Sequence, residues 1–361
     1  MRKTSDLTEP RSWRRVLVTG GFGFLGGHVL ELLLSRPDTR VHVVDNLTSN
    51  PVEPETLLAE LPDTTQLTFD VCSVAEYFAG EAGDFDAVVH LASPVGPAGV
   101  LRHGGRMVSM VVGDCYLLAD YAIKRGARLV NISTSEVYGG GRDGLCSEDD
   151  SKIVPNETSY RLEYAVAKLA AETALMNLHM RDGLDVVTVR PFNVAGPRQS
   201  GEGGFVLPRF LAQAMLGLPL TVFGSGKARR AFTHVRDMAD GIVRALDGGA
   251  PGATYNLGNP SNIVTVDELA GVVLEVTGSS SEKQHVDPTE IYGPEFTEAN
   301  DKFPAAGRAM TDLGWQPLRQ VADIVVDTHE YMMSLSREAF RRLAGGKVIE
   351  QLRDAEARVA S

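Results

Sequence analysis

The sequence predicts an α/β protein: a doubly wound parallel sheet followed by a smaller C-terminal substrate-binding lobe. Three observations carry that prediction. Short, near-continuous apolar and β-branched runs recur through the first half of the chain, and helical apolar periodicities separate them. The first run is followed at once by a glycine-rich turn that opens a helix. Strands that are apolar on both faces and alternate with helices need cover on both sides, which a parallel sheet with helical crossovers provides.

Residues 15–19 (RVLVT) read as the first strand and 28–34 as the helix after the glycine turn. Strands follow at 41–45 (VHVVD), 67–70 (LTFD), 86–92 (DAVVHLA), 128–134 (RLVNIST) and 185–191 (DVVTVRP). Helical patterns occupy 108–125 and 160–181. After Pro191 the rhythm changes. Residues 196–205 (GPRQSGEGGF) form a loop, 210–216 a helix, 220–224 (LTVFG) a short strand and 237–246 another helix. NLGNP at 256–260 reads as a turn, and 265–278 as a helix whose Thr265 and Glu268 make a capping box. From there the chain reads as irregular up to a helical tail after Leu318, fraying beyond 345. The expected division is an N-terminal extension (1–14), a dinucleotide-binding domain (15–191), a substrate lobe with some return to the main sheet (192–335) and a helical tail (336–361).

Composition narrows the function. The 361 residues are 43% hydrophobic and 23% charged, ordinary for a globular enzyme and ample for a large core. No apolar run reaches the roughly 18 to 20 residues of a membrane span, and residues 1–15 lack the apolar stretch of a signal peptide. The net charge of −12 argues against nucleic-acid or anionic-membrane partners. Cys72, Cys115 and Cys146 show neither a disulfide framework nor metal-ligand spacing, so a cytoplasmic protein without a metal is expected.

The turn Thr19-Gly20-Gly21-Phe22-Gly23-Phe24-Leu25-Gly26 fits the dinucleotide pattern of a Rossmann-like sheet. Its glycines permit a tight turn, close approach of backbone to a pyrophosphate, and close packing of helix on strand. The helix N-terminus then offers free N–H groups to the phosphates. Asp45 ends the second strand, where a carboxylate accepts both adenosine ribose hydroxyls and repels a 2′-phosphate. No Arg or Lys follows in residues 46–55, so the cofactor expected is NAD and not NADP. Asp70 and Val71 are placed at the adenine, while Leu91, Ala92 and Ser93 let the cofactor pass the end of the fourth strand. Asn46, Ser133, Pro191 and Val194 complete the expected cofactor contacts.

Tyr164 and Lys168 lie four apart on a helical segment and face the same way. A phenol titrates near pH 10, and service as a base near neutrality needs a drop of roughly 3 units, about 4 kcal/mol. An ammonium one turn away, with the positive nicotinamide ring, favours that shift. Ser133-Thr134-Ser135-Glu136 ends the fifth strand at the carboxyl edge, where open α/β sheets place their ligands. A hydroxyl there can bind the substrate oxygen being oxidised. Each of these elements alone is common; in this order they make one constellation.

With TGGFGFLG, VVDN, HLASP, STSEVYG, YAVAK, RPFNVAGPR, LTVFGSGKARRAFTHVRD and NLGNP, residues 15–320 resemble the extended short-chain dehydrogenase/reductases. The resemblance is to the NAD-dependent sugar-nucleotide epimerases, dehydratases and decarboxylases, and within them chiefly to the UDP-glucuronate decarboxylases. The 4,6-dehydratases carry an Asp between the Thr and the Glu, to protonate a leaving hydroxyl; here Ser135 stands there. The 4-epimerases usually lack the acid at Glu136. A dehydratase or 4-epimerase is the runner-up, and an NAD-binding regulator without activity is the alternative of another class.

The resemblance implies a chemistry. Tyr164 takes the O4 proton while the C4 hydride leaves to NAD, and Thr134 holds O4. The resulting ketone lies β to the C6 carboxylate, so CO₂ departs, giving a UDP-4-keto-pentose or, after hydride return, UDP-xylose. Glu136 positions the ring or a water at C5. Ser93, Pro94, Asn193, Arg198 and Arg230 would contact the sugar, diphosphate or carboxylate, with Val206 and Phe223 bracketing the base. The family's arginine before LGWxP is replaced by Lys302, a point charge where a planar fork is usual. The glycine-rich segment 97–106 departs from the family too. Family members commonly dimerise through the helices matching 108–125 and 160–181, so a homodimer is expected.

Overall fold

The computed structural model describes residues 12–139, 144–154, 160–292, 301–346 and 348–352. Residues 1–11 of the expected N-terminal extension and 353–361 of the expected tail lie outside the described residues. The first half alternates strand and helix: β1 (Arg15–Thr19), α1 (Phe24–Leu34), β2 (Arg40–Asp45), α2 (Pro54–Glu60), β3 (Leu67–Val71), α3 (Val74–Ala79) and β4 (Ala87–His90). Then come α4 (Gly96–Arg102), α5 (Met107–Arg125), β5 (Arg128–Ile132), a 3-10 turn (Ser135–Tyr138), α6 (Tyr160–Asp182) and β6 (Val186–Pro191).

The second half is less regular. It contains β7 (Val194–Ala195), α7 (Val206–Met215), β8 (Leu220–Phe223), β9 (Arg229–Ala231), β10 (Thr233–His234), α8 (Val235–Gly248) and β11 (Thr254–Leu257). It continues with β12 (Ile263–Thr265), α9 (Val266–Thr277), β13 (Lys283–Val286), α10 (Pro288–Tyr292), α11 (Gly307–Leu313), α12 (Val321–Ser334) and α13 (Arg337–Ala344).

Seven strands form one parallel sheet in the order β11-β6-β5-β4-β1-β2-β3. The chain runs outward from β1 through β2 to β3 and then returns to β4 on β1's other side. That reversal leaves a crevice beyond the carboxyl ends of β1 and β4, the place where such sheets bind ligands. The central strands carry the expected near-continuous apolar burial, β4 and β5 throughout, whereas the edge strand β3 is exposed from Thr68 to Val71. One face packs on α1, α8 and α11, the other on α3, α5 and α6. Val29, Leu30 and Leu33 of α1 are fully buried against β1 and β2. Each contributes about 1.5–3 kcal/mol, and truncating one to Ala costs about 2–5 kcal/mol. A further core, from α7, β8, α9, α12 and α13, forms the C-terminal lobe.

Two expectations are corrected here. NLGNP is not wholly a turn: Asn256 and Leu257 end β11, which pairs with β6 from Thr254↔Thr188 to Leu257↔Pro191 and closes the sheet. Tyr255 and Leu257 are completely buried, but four residues running into glycine are too short for a periodicity to show. Nor does the chain fray at 345 among the described residues. Residues 348–352 are helical, Val348 is buried with the lobe core, and Gln213 Nε2 donates to Gln351 Oε1 at 2.8 Å. The capping box stands as expected, Thr265 Oγ1 accepting from the Glu268 N–H and the Glu268 carboxylate from the Thr265 N–H. Among the described residues no helix is long and apolar enough to cross a membrane, and no cluster of His, Cys, Asp and Glu is poised for a metal.

Candidate active site

The carboxyl ends of the central strands open into a cleft of about 1560 Å³ shared with the C-terminal lobe, well above the few hundred to a thousand that hold one small molecule. Gly20 has φ +74°, and a Cβ on it would lie 2.6 Å from the Ala92 nitrogen; one on Gly26 would lie 2.2 Å from the Gly20 carbonyl oxygen. Any side chain at either position would force helix and strand apart. α1 begins at Gly23 without a side-chain cap, and Gly23, Phe24 and Leu25 line the cleft. Its first-turn N–H groups are therefore left for a ligand, and favour an anionic one.

Asp45 ends β2 almost buried. Its Oδ2 accepts the Phe22 N–H and its Oδ1 the Leu47 N–H, both at 2.9 Å. Burial pushes this carboxyl above its usual range, and the two N–H groups pull it back. Its remaining lone pairs suit ribose hydroxyls. At the other end of the crevice the Ser133 hydroxyl is buried, lines the cleft and has no hydrogen-bond partner among the described residues. An uncapped helix terminus, a strand-end carboxylate and an orphaned hydroxyl along one crevice fit NAD. Asn46, Leu91, Ala92, Ser93, Pro191 and Val194 line the same cleft.

Three expected cofactor contacts are not brought there. The Phe22 side chain is buried in the core, edge-on to Phe69 at 5.2 Å, and only its N–H serves the site, through Asp45. Asp70 pairs with His42 at 3.1 Å, and Val71 is 55% exposed. β3 ends at Val71, as expected, in register with Asp45, and Cys72 and Ser73 just beyond it line the cleft. Residues 46–55 supply no cation, as expected, but α13 brings Arg341 and Arg342 to the cleft wall. Arg342 pairs there with Glu53.

Tyr164 and Lys168 stand one turn apart on α6, and both line the cleft with Ser133, Thr134, Ser135 and Glu136. Lys168 is 3% exposed, and its Nζ donates to the Ile132 carbonyl at 2.9 Å. Burial holds this ammonium below its usual range, opposed by Cys115, Asp114 and Glu172. The strand-end loop is shaped by Thr134, whose Oγ1 accepts the Glu136 N–H at 3.2 Å. The Thr134 O–H proton stays available to donate. Beneath, His90 Nδ1 meets Thr19 Oγ1 at 2.8 Å, and burial, with Lys168, pushes the imidazole down to about 3, so it is neutral. Asp114 of α5 also lines the cleft; burial pushes it up to about 6, with Lys168 opposing.

Lys302 donates to Glu136 Oε2 at 3.2 Å across 166 residues and is 6% exposed. The strap that delivers it is tied down by Cys146 N–H to the Phe303 carbonyl (2.7 Å) and Ala305 N–H to the Cys146 carbonyl (2.8 Å). Next to it Asp301 accepts from Arg229 Nε at 3.0 Å and from Arg230 Nη1 at 3.5 Å. Pro94, Asn193, Val206, Phe223 and Arg230 line the cleft. Asn193 adopts φ +36°, a conformation Asn tolerates better than most residues.

Arg198 is the correction at this end. Its guanidinium turns under α1 to pair with Glu31 and Glu60 and lies against Gly27, away from the cleft lining. With φ +68° at Arg198, the GPR turn aims that side chain at the helix, where two carboxylates wait. Arg209 was missed: it lines the cleft, with its guanidinium 4.0 Å over the Phe223 ring. Its spacing of three from Val206 on a helix was the available signal.

Known proteins bear on this geometry. The model of the NAD-dependent epimerase/dehydratase family matches residues 16–258. The chain is 31% identical over 293 residues to the UDP-N-acetyl-alpha-D-glucosaminuronate decarboxylase of Bacillus cytotoxicus, covering 81% of this chain and 89% of that protein. It is 34% identical to UDP-glucuronic acid decarboxylase 2 of Arabidopsis thaliana, over 88% of this chain and 68% of that protein. The crystal structure of dTDP-glucose 4,6-dehydratase from Streptomyces venezuelae, which has NAD bound, is similar at a TM-score of 0.78 and 27% identity. It covers 91% of this chain and 99% of that one.

Proposed function

The chain belongs to the NAD-dependent epimerase/dehydratase family, and from that premise we propose that it is a UDP-glucuronate decarboxylase. The observation that carries the reading is the cleft wall of Thr134, Ser135, Glu136, Tyr164 and Lys168, with Lys302 buried behind it and paired to Glu136. Ser135 puts a hydroxyl in that wall where a dehydratase would need an acid.

The Gly20–Gly26 turn, Asp45 and Ser133 would hold NAD⁺, which would supply a reversible hydride acceptor for C4. Tyr164 removes the O4 proton as that hydride leaves, and Thr134 donates its O–H to O4. Lys168 favours the phenolate electrostatically. With C4 a ketone, the C5–C6 bond breaks. Its electron pair passes into the enolate, CO₂ leaves without a proton, and C5 takes one proton from the medium. Tyr164 protonates the enolate oxygen or restores the proton to O4. Glu136, fixed from behind by Lys302, holds the ring, or a water, at C5.

The same reading takes the chain as a cytoplasmic homodimer. Exposed Val108, Tyr116 and Leu117 on α5 support the pairing, and the absence of disulfide spacing among Cys72, Cys115 and Cys146 supports a reducing compartment. The test is a panel of carboxyl-labelled UDP-glucuronate, UDP-N-acetylglucosaminuronate and neutral nucleoside-diphosphate hexoses. Labelled CO₂ from UDP-glucuronate is expected. Conversion of a neutral hexose with no CO₂ from either uronate would establish the dehydratase or epimerase reading instead.

A further inference from the structure

We propose that Glu163 is a positioning residue that latches the segment 94–106 over the sugar site and so sets how long the sugar is retained. The inference rests on the proposed reading, since retention matters most for a 4-keto sugar that must stay until its cycle ends.

The segment walls the same cleft as Thr134, Glu136 and Tyr164: Pro94, Gly96, Gly99 and His103 all line it. It is held at its two ends, and between them Val100 of α4 is buried in the core shared by α5 and α6. At the first end Gly96, with φ +77°, sits so close to the substrate lobe that a Cβ would lie 2.8 Å from both the Gly203 carbonyl oxygen and the Phe205 ring. At the second end the Glu163 carboxylate accepts the Gly105 N–H at 2.5 Å and the Met107 N–H at 2.9 Å. Arg106, the N-cap of α5, makes no side-chain cap, so Glu163 supplies from outside what that helix start lacks. A carboxylate is suited to that place by the helix dipole.

Glu163 is the residue before Tyr164 on α6. One turn of one helix therefore carries both the base and the tie that closes the wall above it. Between the ties lie a seven-residue helix, α4, and glycines at 96, 99, 104 and 105. Gly105 has φ +80° and nothing within 4 Å of where its Cβ would be, while Met107 beyond it is buried in the core, so the carboxylate governs the stretch up to Gly105. Loss of both bonds frees one end of the cover while leaving the nucleotide end of the cleft, at Val206 and Phe223, untouched.

The experiment compares dissociation of UDP-xylose and of UDP from the NAD-loaded wild-type protein, Glu163→Ala and Glu163→Gln, by stopped flow. Glu163→Ala should release UDP-xylose about tenfold faster, Glu163→Gln less so because one acceptor oxygen remains, and UDP should change by less than about twofold. Amide hydrogen exchange at 94–107 should quicken in the same order, with the central sheet unchanged. Equal acceleration of UDP and UDP-xylose, or no acceleration with faster exchange, would overturn the latch. Unchanged exchange would overturn it too. Failure of the function reading is separate: no labelled CO₂ from UDP-glucuronate. The dissociation comparison is then made with the sugar nucleotide that is turned over.

Discussion

Replacing Lys302 by Met removes a charge while keeping most of the side chain's length. The ammonium is 6% exposed, and its partner Glu136 is 22% exposed in its side chain. Breaking a fully buried ion pair from one side costs about 3–5 kcal/mol. Water reaches Glu136, so the stability loss expected is smaller, about 1–3 kcal/mol. Lys302 fixes the cleft-lining Glu136, so losing it should lower kcat/KM for UDP-glucuronate about 10- to 100-fold. Lys302→Arg should recover part of it, because a guanidinium engages carboxylates through a planar fork. The assay is labelled-CO₂ release over a substrate range, with urea unfolding alongside and calorimetric titration with UDP. UDP affinity should stay within about twofold. Lys302→Met protein that loses stability but keeps uronate turnover within about threefold would show the lysine to be purely structural.

Asp114→Asn should stabilise the fold at about pH 7.5 by about 1–2 kcal/mol, a figure reduced for the carboxyl's partial exposure, and not at about pH 4. The folded chain keeps this proton up to about 6 against an ordinary value of 3.8. The ionised carboxylate therefore weakens the fold above that range, and the cost disappears as pH falls toward the unfolded value; urea midpoints at the two pH values check it. Arg198→Met should cost about 2–4 kcal/mol, because Glu31 and Glu60 lose their cation, yet leave the KM for UDP-glucuronate within about twofold. A large rise in KM would return Arg198 to the substrate site. Asp45→Asn should weaken NAD about tenfold and NADP much less, read by fluorescence titration of both.

The parts of this fold legible in the sequence are those where local chemistry repeats. β1, β2 and β4 to β6 show as apolar runs because both faces of the sheet are covered, and the glycine turn shows because backbone contacts exclude a Cβ at Gly20 and Gly26. Tyr164 and Lys168 show because helical spacing alone puts them on one face. What failed depended on where chain segments meet. β11 is four residues long and gains its meaning only beside β6. Asp70 and Val71 do end β3, but Asp70 turns to His42, a pairing that no local pattern announces. Arg198 was drawn to the substrate end by its family motif, yet a turn with φ +68° directs it to Glu31 and Glu60, which no local pattern announces. The Lys302–Glu136 contact joins residues 166 apart, so resemblance suggested the lysine's place and geometry gave it a partner. Arg341 and Arg342 reach the cofactor cleft from the tail, a region the sequence assigned to no site.

The most direct measurement of the proposed chemistry is a single turnover of Tyr164→Phe, loaded with NAD and mixed with carboxyl-labelled UDP-glucuronate. NAD should bind as in the wild type, reduced nicotinamide should not accumulate, and labelled CO₂ should form about a thousandfold more slowly or not at all. Labelled CO₂ released by this variant at the wild-type rate would contradict the assignment of Tyr164 as the base.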